Sequence, residues 1–163
     1  MTDYELKLQQ LQKEFKEINT KKANKWDFTP DQKAIYDFVI KSQRYTTFNI
    51  AGYDIILKVG NEDFGFKHFL LKHYGTGCVG EIKANDILKL GNVIKHNISV
   101  PAKEDKIKFI QTKGDLKYSV VLKPQKDGKL VVSFFSSKEE IKIIEQIEII
   151  NKISISVEIE TKF

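Results

Sequence analysis

Between Lys106 and Ser136 the chain runs through three alternating apolar and polar stretches, separated by Gly114-Asp115 and by Pro124 to Gly128. Period-two alternation lets a strand bury one face, and turns of this composition reverse the chain. The segment therefore reads as a three-stranded antiparallel meander. A register symmetric about both turns assigns every side chain to one face or the other, which limits the fold more than any other stretch does. One face collects Ile107, Phe109, Tyr118, Val120, Leu122, Leu130, Val132 and Phe134, an apolar set that calls for a cover of helices. The other collects Lys106, Lys108, Ile110, Thr112, Lys117, Ser119, Val121, Lys123, Lys129, Val131, Ser133 and Phe135.

That second face is cationic. It holds five lysines, three hydroxyls and one aromatic ring, and no carboxylate. Residues 103–138 contain nine lysines against four acids, whereas 139–163 contain three against six, so the net charge of +5 is concentrated on the sheet region. Lysine supplies point charge, serine and threonine supply hydrogen bonds, and phenylalanine can stack on a base. The combination suits a phosphodiester backbone. The plain alternative is a solvated sheet face with routine lysines.

Helical periodicity surrounds the meander. In residues 3–24, Tyr4, Leu8, Leu11, Phe15 and Ile18 form an a/d seam of about two heptads, too short for an autonomous coiled coil. It predicts a helix docked on the domain, with self-association or a partner as the other use of the seam. Thr29-Pro30-Asp31 starts a second helix over 30–43, with Thr29 as N-cap and Ile35, Phe38 and Val39 inward. Residues 46–59 read as a hairpin turning near Gly52, and 83–95 as one amphipathic helix with Ile87, Leu88 and Val93 or Ile94 inward, ended by His96. A tail helix over about 137–150, starting at Ser136 or Ser137, and a strand over 153–160 complete the reading.

At 163 residues the chain suits one domain with a substantial core plus an appendage: a helical N-terminal extension, 1–45, and a main domain, 46–163. The single cysteine, Cys78, permits no internal disulfide and points to a reducing, cytoplasmic site of action. The N-terminus is polar and no apolar run nears the roughly 20 residues that span a bilayer, so no membrane partner is expected. One cysteine and three scattered histidines lack metal-ligand spacing, and no nucleotide-loop or nucleophile-elbow motif occurs, so neither metal nor cofactor is expected.

Two of those histidines, His68 and His73, lie in GFKHFLLKHYGTG, residues 65–77, beside Phe66, Phe69, Leu70 and Tyr74. Asn61-Glu62-Asp63 should open their helix with acids in its first turn, and Gly75 should close it. Five residues at about 100° each set the rings roughly 140° apart, so a regular helix keeps them from forming a tight pair. His73 shares the apolar side and His68 lies nearer Lys72. A packing histidine is the ordinary outcome, but Lys67 and Lys72 would attract phosphate and lower a neighbouring imidazole's pKa.

The order of GFKHFLLKHYG, ILKLGNVIK, YSVVLK, a turn and LVVSFFSS resembles the phage-associated branch of the barnase–EndoU–colicin–RelE-like nucleases. There a helix of H-I-x-x-x-H type precedes a small antiparallel sheet, and a strand of V-V-T/S-x-aromatic-x form closes the motif. The resemblance spans about 65–137. It implies an α+β fold, a small antiparallel sheet with helices packed on one face, and metal-independent, toxin-like RNA cleavage by general acid/base attack of the ribose 2′-hydroxyl. It implies RNA, tRNA among the candidates, as partner, a cognate inhibitor protein, and delivery by phage or a secretion system. Position by position, His68 and His73 match the helix histidines, Ser133 the strand hydroxyl, Phe135 its aromatic and Ser137 a following hydroxyl. Ser133 and Phe135 stand where threonine and tyrosine are commoner. The face arrangement adds Lys123 as a catalytic candidate, and Lys106, Lys108, Lys117, Ser119 and Lys129 as nucleic-acid contacts. A non-catalytic nucleic-acid-binding domain and a phage structural or interaction protein are the competing readings. Catalysis requires a histidine to reach around the sheet edge to the cationic face.

Overall fold

The computed structural model describes residues 1–21, 28–77 and 81–138. It is an α+β fold: among the described residues, five α-helices pack against a six-stranded, mostly antiparallel sheet. The strand at 153–160, and the tail helix beyond residue 138, fall outside the described residues. Residues 136–138 continue the last strand instead of capping a helix. There Ser136 uses its hydroxyl to donate to the Glu81 carbonyl at 2.9 Å.

The first helix, α1 (Asp3–Lys21), turns its seam inward. Leu11 and Phe15 are fully buried, and Tyr4, Leu8 and Ile18 pack around them against the common core. The seam is thus occupied within the chain, and self-association would have to use another surface. Helix α2 (Pro30–Ile40) starts at Thr29 as expected. The Thr29 N–H donates to the Gln32 side chain at 3.3 Å and its hydroxyl to Asp31 at 2.6 Å. Asp31 is 4% exposed and is neutralised by Lys95 at 3.2 Å. Strands β1 (Tyr45–Ile50) and β2 (Tyr53–Lys58) form the expected hairpin, turning through Ala51 and Gly52 in left-handed conformations.

The histidine helix, α3 (Phe66–His73), begins later than expected. Residues 60–65 form a closed loop, so Glu62 and Asp63 precede the helix rather than entering its first turn. Asn61 Oδ1 accepts from the Asp63 and Phe64 N–H groups at 2.8 and 3.0 Å. Gly60 and Gly65 both have positive φ, and a Cβ on Gly60 would run into the Phe64 carbonyl. The expected single helix over 83–95 is instead two, α4 (Ala84–Leu88) and α5 (Leu90–Lys95), broken at Lys89. The break brings Gly91 flush against the Asp31 carboxylate and Ile50, with no room for a side chain.

A two-residue edge strand, β3 (Val100–Pro101), which has no alternation to reveal it, precedes the meander β4 (Ile107–Lys113), β5 (Leu116–Pro124) and β6 (Leu130–Lys138). The meander adopts the expected register: Lys108 faces Val121 and Val121 faces Ser133, while Ile110 faces Ser119 and Ser119 faces Phe135. The sheet order is β1-β2-β6-β5-β4-β3, so one pair, β2 with β6, is parallel, and it matches only Ile55 with Leu130 and Ile56 with Val131. Among the described residues no helix is long and apolar enough to cross a membrane.

Helix α1 contributes two fully buried side chains to the core that α2, α3 and the sheet share. Phe15→Ala should therefore lower the stability of the whole chain by about 3–5 kcal/mol in urea unfolding, with one cooperative transition. An early, separate transition for α1 would contradict this.

Candidate nucleic-acid interface

Strand β6 carries side chains to both faces of the sheet, and α3 lies along its edge. Phe69 meets Phe134, on the core face, with ring centroids 6.3 Å apart. One helical turn later, His73 meets Phe135, on the opposite face, at 5.7 Å. The helix thus straddles the edge, and His73 reaches the lysine-bearing face.

The two histidines also touch, with centroids 5.8 Å apart in an edge-on arrangement. This overturns the expectation that a regular helix would separate them. The last turn is widened: the Tyr74 N–H donates to the Phe69 carbonyl five residues back, at 3.2 Å, and His73 lies within that wider turn. His68 Nδ1 lies 2.6 Å from the Glu62 carbonyl. A carbonyl oxygen can only accept, so Nδ1 carries the hydrogen and Nε2 is left to exchange a proton.

Lys7 of α1 holds the end of α3. Its ammonium donates to the carbonyls of Leu71 at 2.9 Å and Tyr74 at 2.8 Å, which the terminating helix leaves without partners. Partial burial lowers the Lys7 pKa, and Asp3 opposes the shift. The His73 pKa is lowered too, first by burial and then by His68, Lys7 and Lys72. His73 is therefore neutral at physiological pH.

The expected site residues fall into three groups along the face. Lys108 meets the same Phe135 ring as His73, its ammonium 5.6 Å from the centroid, and burial followed by Lys117 lowers its pKa. Ser133 shares a cross-strand row with Lys108 and is only 4% exposed; Ser119 pairs with Phe135 and is fully buried, its hydroxyl unpartnered among the described residues. These form the floor. At one end, Lys117 pairs with Thr112 and Ser137. At the other, Lys106 and Lys123 converge on Phe64, 5.4 and 5.7 Å from its centroid.

Lys123 thus meets Phe64, whereas His73 meets Phe135. The cross-strand partner of Lys123, Val131, precedes Phe135 by four strand residues, roughly 13 Å. Lys129 stands in the β5–β6 turn, one residue before β6, with its N–H bonded to Asp127 at 3.0 Å. Sequence reasoning missed Phe64, Lys58 and Lys7. Phe64 could have been found from Asn61 between Gly60 and Gly65, a combination typical of a tight, side-chain-stapled loop. Among the described residues no group of three or more potential metal-ligating side chains occurs. No protein-family model matches the chain, and neither a curated protein nor a solved structure does.

Replacing Lys7 with glutamine removes a cation near His73 and loosens the end of α3. The His73 imidazole should then titrate at higher pH than in the parent, by NMR, and amides of the last α3 turn should exchange faster. An unchanged or lower His73 titration point would contradict the tether.

Proposed function

We propose that the chain is a toxin-like endoribonuclease, acting on RNA in the cytoplasm without a metal ion. The observation that carries this reading is the His68–His73 pair bridged by Phe135 to Lys108 on a cationic, hydroxyl-bearing sheet face. The order of parts, resembling the barnase–EndoU–colicin–RelE-like nucleases, supports it, and brings with it a cognate inhibitor and delivery by a phage or a secretion system.

The chemistry divides between the two rings. His73 is half-buried and neutral at physiological pH, and so acts as the general base: it takes the proton of a ribose 2′-hydroxyl. That oxygen attacks the adjacent phosphorus, and the bond from phosphorus to the 5′-oxygen breaks. His68, whose Nδ1–H is held by the Glu62 carbonyl, acts in its imidazolium form: the second proton, on Nε2, passes to the departing oxygen and leaves the neutral ring. Lys108 stabilises the negative charge that builds on the phosphorane oxygens. The products are a cyclic phosphate end and a free 5′-hydroxyl end. The lysine rows on either side would hold the flanking strand.

The test is incubation of the purified protein with total RNA in EDTA, followed by analysis of the fragment ends. Cyclic phosphate ends are expected, and His68→Ala and His73→Ala should each lower the rate about 10²–10⁴-fold. The rate should fall on the acid side below about pH 6.5, since His73 protonates below the ordinary imidazole value. Absence of cleavage, or full activity in both variants, would sink the proposal. Salt-sensitive RNA binding without cleavage would leave a binding domain in its place.

A further inference from the structure

The loop at 60–65 does more than lead into α3. With β2 and the β5–β6 turn it encloses a cavity of about 280 Å³, lined by Lys58, Gly60, Phe64, Lys123, Gln125 and Val131 among others. Three features make this cavity unlike the rest of the surface. Two ammonium groups, those of Lys106 and Lys123, converge on the Phe64 ring, and Lys58 adds a third cation at the wall. The Gln125 side-chain nitrogen is buried and has no hydrogen-bond partner among the described residues. The backbone that carries the ring is held in place, because Asn61 Oδ1 and the Phe64 carbonyl close the loop on both sides.

We propose that this cavity is a nucleotide subsite for single-stranded RNA. A base stacks on Phe64 and displaces one ammonium from the ring, and the freed ammonium takes the phosphate of the same nucleotide. The Gln125 amide donates to a carbonyl of the base, which satisfies the unpaired group and favours bases with an acceptor at that edge. Val131 and Phe135 belong to one strand, four residues apart, so the subsite is within reach of a nucleotide adjoining the bond at the histidines. That last placement rests on the ribonuclease reading; binding at the subsite does not.

The experiment uses the full chain carrying His68→Ala and His73→Ala, so that RNA is not consumed, and fluorescein-labelled oligonucleotides of a single base type each. Affinity is read by anisotropy across a salt series. Phe64→Leu should weaken binding on the order of tenfold while leaving the salt slope nearly unchanged, and Phe64→Tyr, which keeps the ring, should retain it. Gln125→Leu should flatten the differences among base types. Equal binding by the parent and Phe64→Leu, or equal loss in Phe64→Leu and Phe64→Tyr, would overturn the subsite, as would failure of the parent to bind any oligonucleotide. The two readings separate cleanly. Cleavage by the wild type that depends on the histidines but ignores Phe64 overturns the subsite alone. A Phe64-dependent affinity in a protein whose wild type never cleaves overturns the nuclease and leaves the subsite standing.

Discussion

The architecture turns on how little of β6 its parallel neighbour occupies. Strand β2 matches only Leu130 and Val131, so among the described residues the edge beyond them has no strand partner. An edge left open must be covered or paired, and here α3 covers it. Covering an edge differs from covering a face. A helix seated on the apolar face alone would keep all its side chains on that side, whereas one seated on the edge reaches both. Phe69 on Phe134 and His73 on Phe135 are the two halves of that seating. Had β2 paired along the whole of β6, the histidines would have been confined to the helical side.

The same edge explains the electrostatics. Elsewhere the fold neutralises charge that it buries, as with Asp31 and Lys95. On the sheet face it does not. Among the described lysines of this face, only Lys106 has a carboxylate at ion-pair distance, that of exposed Glu104 at 3.7 Å. The lysines lie instead against aromatic rings: Lys108 on Phe135, Lys106 and Lys123 on Phe64. An aromatic face attracts a cation through its quadrupole without cancelling the charge. The lysines stay positive beside the rings, and the Lys108 pKa is lowered first by burial and then by repulsion from Lys117. A polyanion would relieve that repulsion, which is the physical reason for favouring a nucleic acid over a neutral ligand.

What could be read from the sequence followed period. The meander alternates strictly, so its register, its two faces and the residues of each row were all legible. The seam of α1 and the N-cap of α2 were legible for the same reason: each depends on residues close in sequence. The contact between His68 and His73 was not, because His73 lies in a widened final turn that no periodicity signals. Nor was the break at Lys89, which answers to Asp31 lying far away in sequence against Gly91. Alternation puts Lys123 on the face of Phe135 but does not reveal that its ammonium meets Phe64, four residues along β6 from the Phe135 row. The loop that carries Phe64 was signalled by Asn61 between Gly60 and Gly65, but its meeting with Lys106 and Lys123 was not, because only the fold brings those lysines to the ring.

Lys7 ties these levels together. Its carbonyl partners, Leu71 and Tyr74, bracket His73, so the N-terminal helix fixes the end of the helix that carries the candidate base. An uncapped helix end frays, and fraying would begin at the turn that sets His73 against His68 and Phe135. Lys7 also adds positive charge near His73, which helps to keep that ring neutral. One ammonium thus acts mechanically on the position of the imidazole and electrostatically on its protonation, and it comes from the part of the chain most remote in sequence from the sheet. Helix α1 is for that reason bound up with the geometry of the site.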